Sequence, residues 1–151
     1  MNSFTQKDCP LCQIVNGRLT AVRISENENV IAIMDLYPAT PGHVLVLPRQ
    51  HIENICTMPP KIGSQIMTMA ITVAGGIQQQ LKPKGLNLIQ ANGAASGQTI
   101  NHFHLHLVPR YENDNVSLKF GHGSTPTEIN QLEQIAAKIR KGLIPSSLKV
   151  Y

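Results

Sequence analysis

The sequence contains no tryptophan and only three phenylalanines and three tyrosines, so it offers few flat side chains on which unpaired bases could stack. Charge is sparse as well. Asp, Glu, Lys and Arg make up 15% of the chain, and the thirteen basic residues behind the formal charge of +4 form no dense block. These absences argue against a nucleic-acid partner, whereas the positive balance favours small anionic ligands. The longest apolar stretch, "IMTMAITVAGGI", is too short to span a bilayer and carries two threonines and two glycines. The polar start "MNSFTQKD" lacks the apolar centre of a secretory signal. No membrane partner and a cytoplasmic location are expected. Cysteine is scarce too, and an odd count of three fits a reducing compartment better than a disulfide framework. Cys56, in "NICTMPP", reads as a small buried apolar side chain.

What is present is globular. At 151 residues the chain suits one domain with its own core. "AVRIS", "NVIAIMDL" and "HVLVLPR" read as strands, the last two separated by the turn-forming "YPATPG". From Pro59-Pro60 onward, Ile62, Ile66, Met69, Val73, Ile77 and Leu81 recur at helical spacing, up to Pro83. Gly75-Gly76 weaken this helix near its end. "GLNLIQAN" alternates as a strand. A terminal helix over about residues 126–142 starts with Thr125 as cap, Pro126 in the first position and Glu128 closing a capping box. The order predicts an α+β fold: an antiparallel sheet of about five strands with one long helix and a C-terminal helix. Each strand is expected to face a core on one side, leaving the other free for chemistry or a partner.

"NHFHLHLVPR" (101–110) is the densest chemical signal. Strand alternation sends Phe103, Leu105 and Leu107 to one face and His102, His104 and His106 to the other. At a rise of about 3.3 Å per residue, neighbouring histidines are rooted about 7 Å apart and the outer pair about 13 Å apart. One metal does not reach all three. Two of them with a third histidine from a neighbouring strand could still hold a catalytic zinc. Alternatively, the middle imidazole is a nucleophile, because its ordinary pKa leaves a neutral fraction able to attack phosphorus. Flanking imidazoles would then bond to phosphate oxygens. Any one of the three, taken alone, also reads as a structural or surface histidine.

The preceding loop, "NGAASGQTI", has the small residues that let backbone amides approach an anion, with Gln98 and Thr99 as side-chain donors. Asp35, closing an apolar strand before a turn, is a turn former or an acceptor for ribose hydroxyls.

The string "GQTINHFHLHLVPR" resembles the histidine triad (HIT) family signature. "CPLCQIVNG", "VIAIMDLYPATPGHVLVLPRQHIENI" and "GLNLIQANG" extend the likeness to the family's bacterial branch over about residues 8–112. The resemblance implies a single HIT domain over 1–151. It implies a hydrolase or transferase acting on the α-phosphate of nucleoside phosphoramidates, dinucleoside polyphosphates or adenylylated compounds. His104 would be the nucleophile and carry a nucleotidyl-histidine intermediate. His106, Gln98 and Thr99 would contact the phosphate or leaving group, and His102 would orient His104 through its backbone carbonyl. His43 matches an additional histidine near the site, Asp35 the ribose position and Asn92 the phosphate-side loop, while Ile33 and Leu36 would help wall the base pocket. A purine nucleotide or nucleoside phosphate derivative is the implied ligand, and a two-fold homodimer with one continuous sheet the implied assembly. Thr99 stands where serine is frequent, and the chain lacks a matching C-terminal specificity segment.

Cys9 and Cys12 form C-x-x-C, by itself a redox pair, half a zinc site or coincidence. The resemblance adds His51 and His102 as the other two ligands of a structural zinc, with no catalytic metal. A Cys₂His₂ set closes a tetrahedral site without an open position. Three functions therefore stand at this point: a nucleotidyl hydrolase or transferase, a nucleotide-binding regulatory module with vestigial catalysis, and a catalytic zinc hydrolase. His122, in "FGHGS", reads as a loop residue.

Overall fold

The computed structural model describes residues 7–118 together with Ile129, Asn130 and Gln134. The chain divides into two compact units, Met1–Val116 and Ser117–Tyr151. In the second, Ile129, Asn130 and Gln134 are helical. The other residues of the expected terminal helix, its cap and His122 lie outside the described residues.

The first unit runs α1 (Pro10–Val15), β1 (Arg23–Glu26), β2 (Val30–Met34), β3 (Val44–Pro48), α2 (Pro60–Leu81), β4 (Gly85–Ile89) and β5 (Leu105–Arg110). The five strands form one sheet in the order β1-β2-β3-β5-β4, with every neighbouring pair antiparallel. Helix α2 packs Ile66, Met69, Ala70, Val73 and Ile77 against Val30, Ala32, Val44, Val46, Phe103, Leu105 and Leu107. Each of the Ile, Val, Leu, Met and Phe side chains among them, taken fully out of water, contributes about 1.5–3 kcal/mol. The helix passes through Gly75-Gly76 without a break. Leu81, the last residue of the expected face, is largely exposed.

The second sheet face is not free, contrary to expectation. Ile31, Ile33, Leu45 and Leu47 are buried there beneath Cys9, Leu11 and Cys12 of the α1 segment. The cause is legible in β2 and β3 themselves: "VIAIM" and "VLVLP" are apolar without alternation, the pattern of strands covered on both faces. Cys56 also departs from expectation. It is exposed, because Ile55–Thr57 form a short 3-10 turn on the surface between β3 and α2.

The histidine run is not all strand: Asn101 and His102 lie in a bend, and sheet pairing begins only at Leu105. Before it, the Phe103 amide donates to the Ile52 carbonyl at 2.6 Å. The alternation holds even so, with Phe103, Leu105 and Leu107 in the α2 layer. Register places His106 opposite Leu45, itself opposite Ile33, so His106 shares a row with the apolar face under α1.

Candidate active site and metal centre

His104 lies between two groups of side chains, one carried by α1 and by the segments after β3 and before β5, the other by residues flanking β2 and β3 and by β5 itself. At one end, Cys9, Cys12, His51 and His102 bring their ligand atoms within 4.8 Å of one another. At the other, Asp35, His43 and His106 do the same. His104 belongs to neither group.

The first group is built on α1. Cys9 caps the helix, its sulfur accepting the Cys12 amide at 3.4 Å, and Pro10 takes the first helical position, where no amide proton is needed. His102 is fully buried. Its Nε2 lies 2.9 Å from the Pro48 carbonyl, which can only accept, so the proton is on Nε2. Nδ1 is thereby left as a lone pair, 3.5 Å from the Cys9 sulfur and 3.4 Å from that of Cys12. His51 Nδ1 is 3.3 Å from the Cys12 sulfur. For bonds of about 2.3 Å to sulfur and 2.0–2.1 Å to nitrogen, tetrahedral ligands stand about 3.5 Å apart. The four side chains fit a metal in number, chemistry and spacing. Burial pushes the Cys12 thiol up to about 12, and the hydrogen bond and charge of Cys9 act the same way; a bound cation would reverse that pressure. Burial holds His102 down at about 4, with the neighbouring His51 and His104 adding to the effect against the Pro48 bond.

The nucleophile candidate is wired similarly. His104 Nδ1 lies 2.7 Å from the His102 carbonyl, so Nδ1–H donates and Nε2 keeps its lone pair.

The second group has the opposite polarity. The Ala39 amide donates to His43 Nδ1 at 3.0 Å, which places the His43 proton on Nε2. That nitrogen lies 2.9 Å from His106 Nδ1 and 3.4 Å from Asp35 Oδ2. The other Asp35 oxygen accepts the Tyr37 amide at 2.8 Å. Burial lowers the pKa of His43 against the pull of Asp35. It lowers His106 to about 4, helped by His104 and His43 and opposed by Asp35. Both imidazoles are therefore neutral near pH 7. The turn carrying Ala39 is fixed to the end of β5: Thr40 Oγ1 donates to the Pro109 carbonyl at 2.6 Å, and Tyr111 donates its hydroxyl to that of Pro41 at 2.9 Å.

The remaining candidates are dispersed. Gln98 is buried and uses both ends of its amide structurally, accepting the Gly93 amide within its own loop and donating to the Glu53 carbonyl after β3, each at 2.7 Å. Asn92 accepts the Ile55 amide at 2.8 Å and donates to Gln90, so it clamps the end of β4 to the 55–57 turn. Thr99 is exposed and lines a small cavity of about 140 Å³ with Asp8, Cys9 and Pro10. Ile33 is buried in the layer under α1 and presents no free surface, while Leu36 is exposed. Sequence reasoning missed α1, although Cys9-Pro10 is a cap followed by a first-turn proline. It also missed Ala39, whose contribution is a backbone amide and leaves no side-chain signal.

The HIT domain family profile matches residues 16–113. The crystal structure of a HIT family protein from Bacillus anthracis superposes with a TM-score of 0.87 at 35% identity, covering 93% of this chain and all of that one. A zinc-bound histidine triad family protein from Mycobacterium smegmatis aligns at a TM-score of 0.70 and 33% identity, over 79% of this chain and 86% of that one. Among curated relatives, an adenylylsulfatase from Arabidopsis thaliana is 31% identical over 113 residues, 75% of this chain and 57% of that protein. Sheet order, histidine run and the extent of these matches agree: the chain belongs to the HIT family.

Proposed function

We propose that the protein is a nucleotidyl hydrolase or transferase that attacks the α-phosphate of a nucleoside phosphoramidate, a dinucleoside polyphosphate or an adenylylated compound. The observation that carries this reading is the bond from His104 Nδ1–H to the His102 carbonyl. It fixes the tautomer that leaves Nε2 free to attack, and it stabilises positive charge on the ring as the bond to phosphorus forms. The bond from phosphorus to the leaving group breaks in that step, and water then cleaves the nucleotidyl-histidine. His106 assists at the phosphate, with the second N–H of Gln98 and the hydroxyl of exposed Thr99 as further donors. Asp35 and Leu36 are assigned to the ribose and base, and Asn92 holds the loop on the phosphate side. Ile33 supports this region from beneath. The ligand is a purine nucleotide or nucleoside phosphate derivative, and the working unit a homodimer.

Cys9, Cys12, His51 and His102 would hold a structural zinc. Its chemistry would be to pin α1 to the segment that carries the His102 carbonyl. The named activity of the Arabidopsis relative and the bound zinc of the Mycobacterium relative support these assignments.

The test is rapid-quench incubation with an adenosine phosphoramidate, followed by mass spectrometry. The expected result is an adenylyl adduct on His104 and loss of turnover by about 10⁴-fold or more in His104→Ala, the scale found on removing a catalytic nucleophile. Undiminished turnover in that variant sinks the reading. Tight AMP binding with no turnover across phosphoramidates, dinucleoside polyphosphates and nucleotide sugars would favour the regulatory module instead.

A further inference from the structure

Asp35, His43 and His106 make a two-histidine, one-carboxylate cluster with three facing atoms, a donor set that ordinarily invites a divalent cation. The hydrogen bond behind His43 argues otherwise. A neutral imidazole that binds metal through Nε2 carries its proton on Nδ1 and donates it to an acceptor. His43 Nδ1 instead receives the Ala39 amide at 3.0 Å. Metal at Nε2 would set two N–H groups against each other or require an imidazolate. The same contact dictates what the cluster does without metal. With the His43 proton fixed on Nε2, the 2.9 Å contact to His106 has one sensible direction: His43 donates and His106 Nδ1 accepts. A neutral His106 then keeps its own proton on Nε2, the nitrogen turned away from His43.

We propose that His43 is a positioning residue that locks His106 as a neutral Nε2–H donor, through a directed chain from the Ala39 amide to His43 to His106, with Asp35 facing His43. The lock itself is a property of the free protein. Its consequence for rate rests on the function proposed above: His106 would offer the phosphoryl group a preorganised neutral hydrogen bond rather than an imidazolium. A donor already aimed costs no reorganisation when charge develops. Glutamine can reproduce this polarity at position 43, since its amide oxygen can accept from Ala39 and its NH₂ can donate to His106. Phenylalanine fills similar space with neither.

The experiment is long-range ¹H–¹⁵N correlation NMR of the histidine rings in the zinc-loaded wild-type protein at neutral pH, with His43→Gln and His43→Phe alongside. The expected result is an unprotonated Nδ1 and protonated Nε2 at His106 in wild type and His43→Gln, and a tautomer mixture in His43→Phe. For an adenosine phosphoramidate, kcat/KM should fall about 10²-fold in His43→Phe, the usual effect of losing one oriented donor, and recover by about tenfold or more in His43→Gln. A purely spatial role for His43 would favour phenylalanine over glutamine. The proposal is overturned by a protonated Nδ1 or an imidazolium at His106 in wild type, a reading that needs no variant to fold. It is equally overturned if added Zn²⁺ fills a second site that His43→Gln abolishes. The expected tautomer without any nucleotide turnover would leave the lock standing and remove the function. An adenylyl-His104 adduct with the opposite His106 tautomer would do the reverse.

Discussion

The two clusters flanking His104 use the same residue type in opposite senses, and a single backbone group decides each. At the cysteine end, the Pro48 carbonyl accepts the His102 Nε2–H and leaves Nδ1 as a lone pair facing the two cysteine sulfurs. At the aspartate end, the Ala39 amide occupies His43 Nδ1 and turns Nε2 outward as a donor. Spacing alone does not separate them, since both gather potential ligand atoms within 4.8 Å. The hydrogen bond on the far side of the ring separates an imidazole that offers a lone pair to its cluster from one that offers an N–H.

The largest effect should come from breaking the cysteine end. Stripping zinc with a chelator, or replacing Cys12 by Ser, should lower the melting temperature by about 10 °C or more, because metal-binding energy at a structural site is folding energy. Asp35→Asn should leave the size of the chelator response unchanged. Differential scanning calorimetry with and without chelator reads both. Equal sensitivity to chelation with and without the cysteines would erase the distinction between the two ends.

A smaller loss should follow from Gly42→Ala, which disturbs the aspartate end alone. Gly42 has φ +89°, a conformation L side chains rarely adopt. A Cβ there would press on Leu81 at the end of α2 and sit 3.2 Å from Pro109. Strain in this left-handed region costs about 1–2 kcal/mol before any clash. The expected result is a melting temperature lower by about 3–8 °C with zinc still bound at one per chain, checked by elemental analysis of the same sample. Loss of zinc in this variant would mean that the two ends do not act separately.

How much of this was legible in the sequence depends on which chemical group does the work. The positions of the five strands and of α2 followed from apolar periodicity, and Cys9, Cys12, His51 and His102, named from a family likeness, do converge. Coverage of the second face by α1 was missed, although the unbroken apolar runs of β2 and β3 called for it. The polarity of His43 could not be read at all, since it rests on the amide of Ala39, a residue whose side chain carries no chemical information. Gln98 was expected to serve the ligand as a donor, and its amide also closes its own loop. A second bond runs from that amide to the Glu53 carbonyl, forty-five residues away, and depends on tertiary placement.

The smallest effect is a pH dependence confined to the relay. His106 has its pKa lowered from 6.5 to about 4, and His43 is lowered as well, chiefly because burial disfavours their charged forms. As pH falls below 6.5, the unfolded chain takes up protons at these positions that the native rings refuse. Stability is therefore full above the ordinary histidine range, falls between about pH 6.5 and 4, and for His106 levels off once the native ring protonates. His106→Asn removes that residue's share without adding a titrating group. The difference in melting temperature between pH 7 and pH 5 should shrink by about 3–6 °C in this variant. An unchanged difference would mean that the native ring titrates like the unfolded one, and a larger difference in the variant that His106 is already charged in the native protein at neutral pH. The carboxylate of Asp35, 3.9 Å from its Nδ1, would then be holding an imidazolium, and the contact to His43 would have to run the other way.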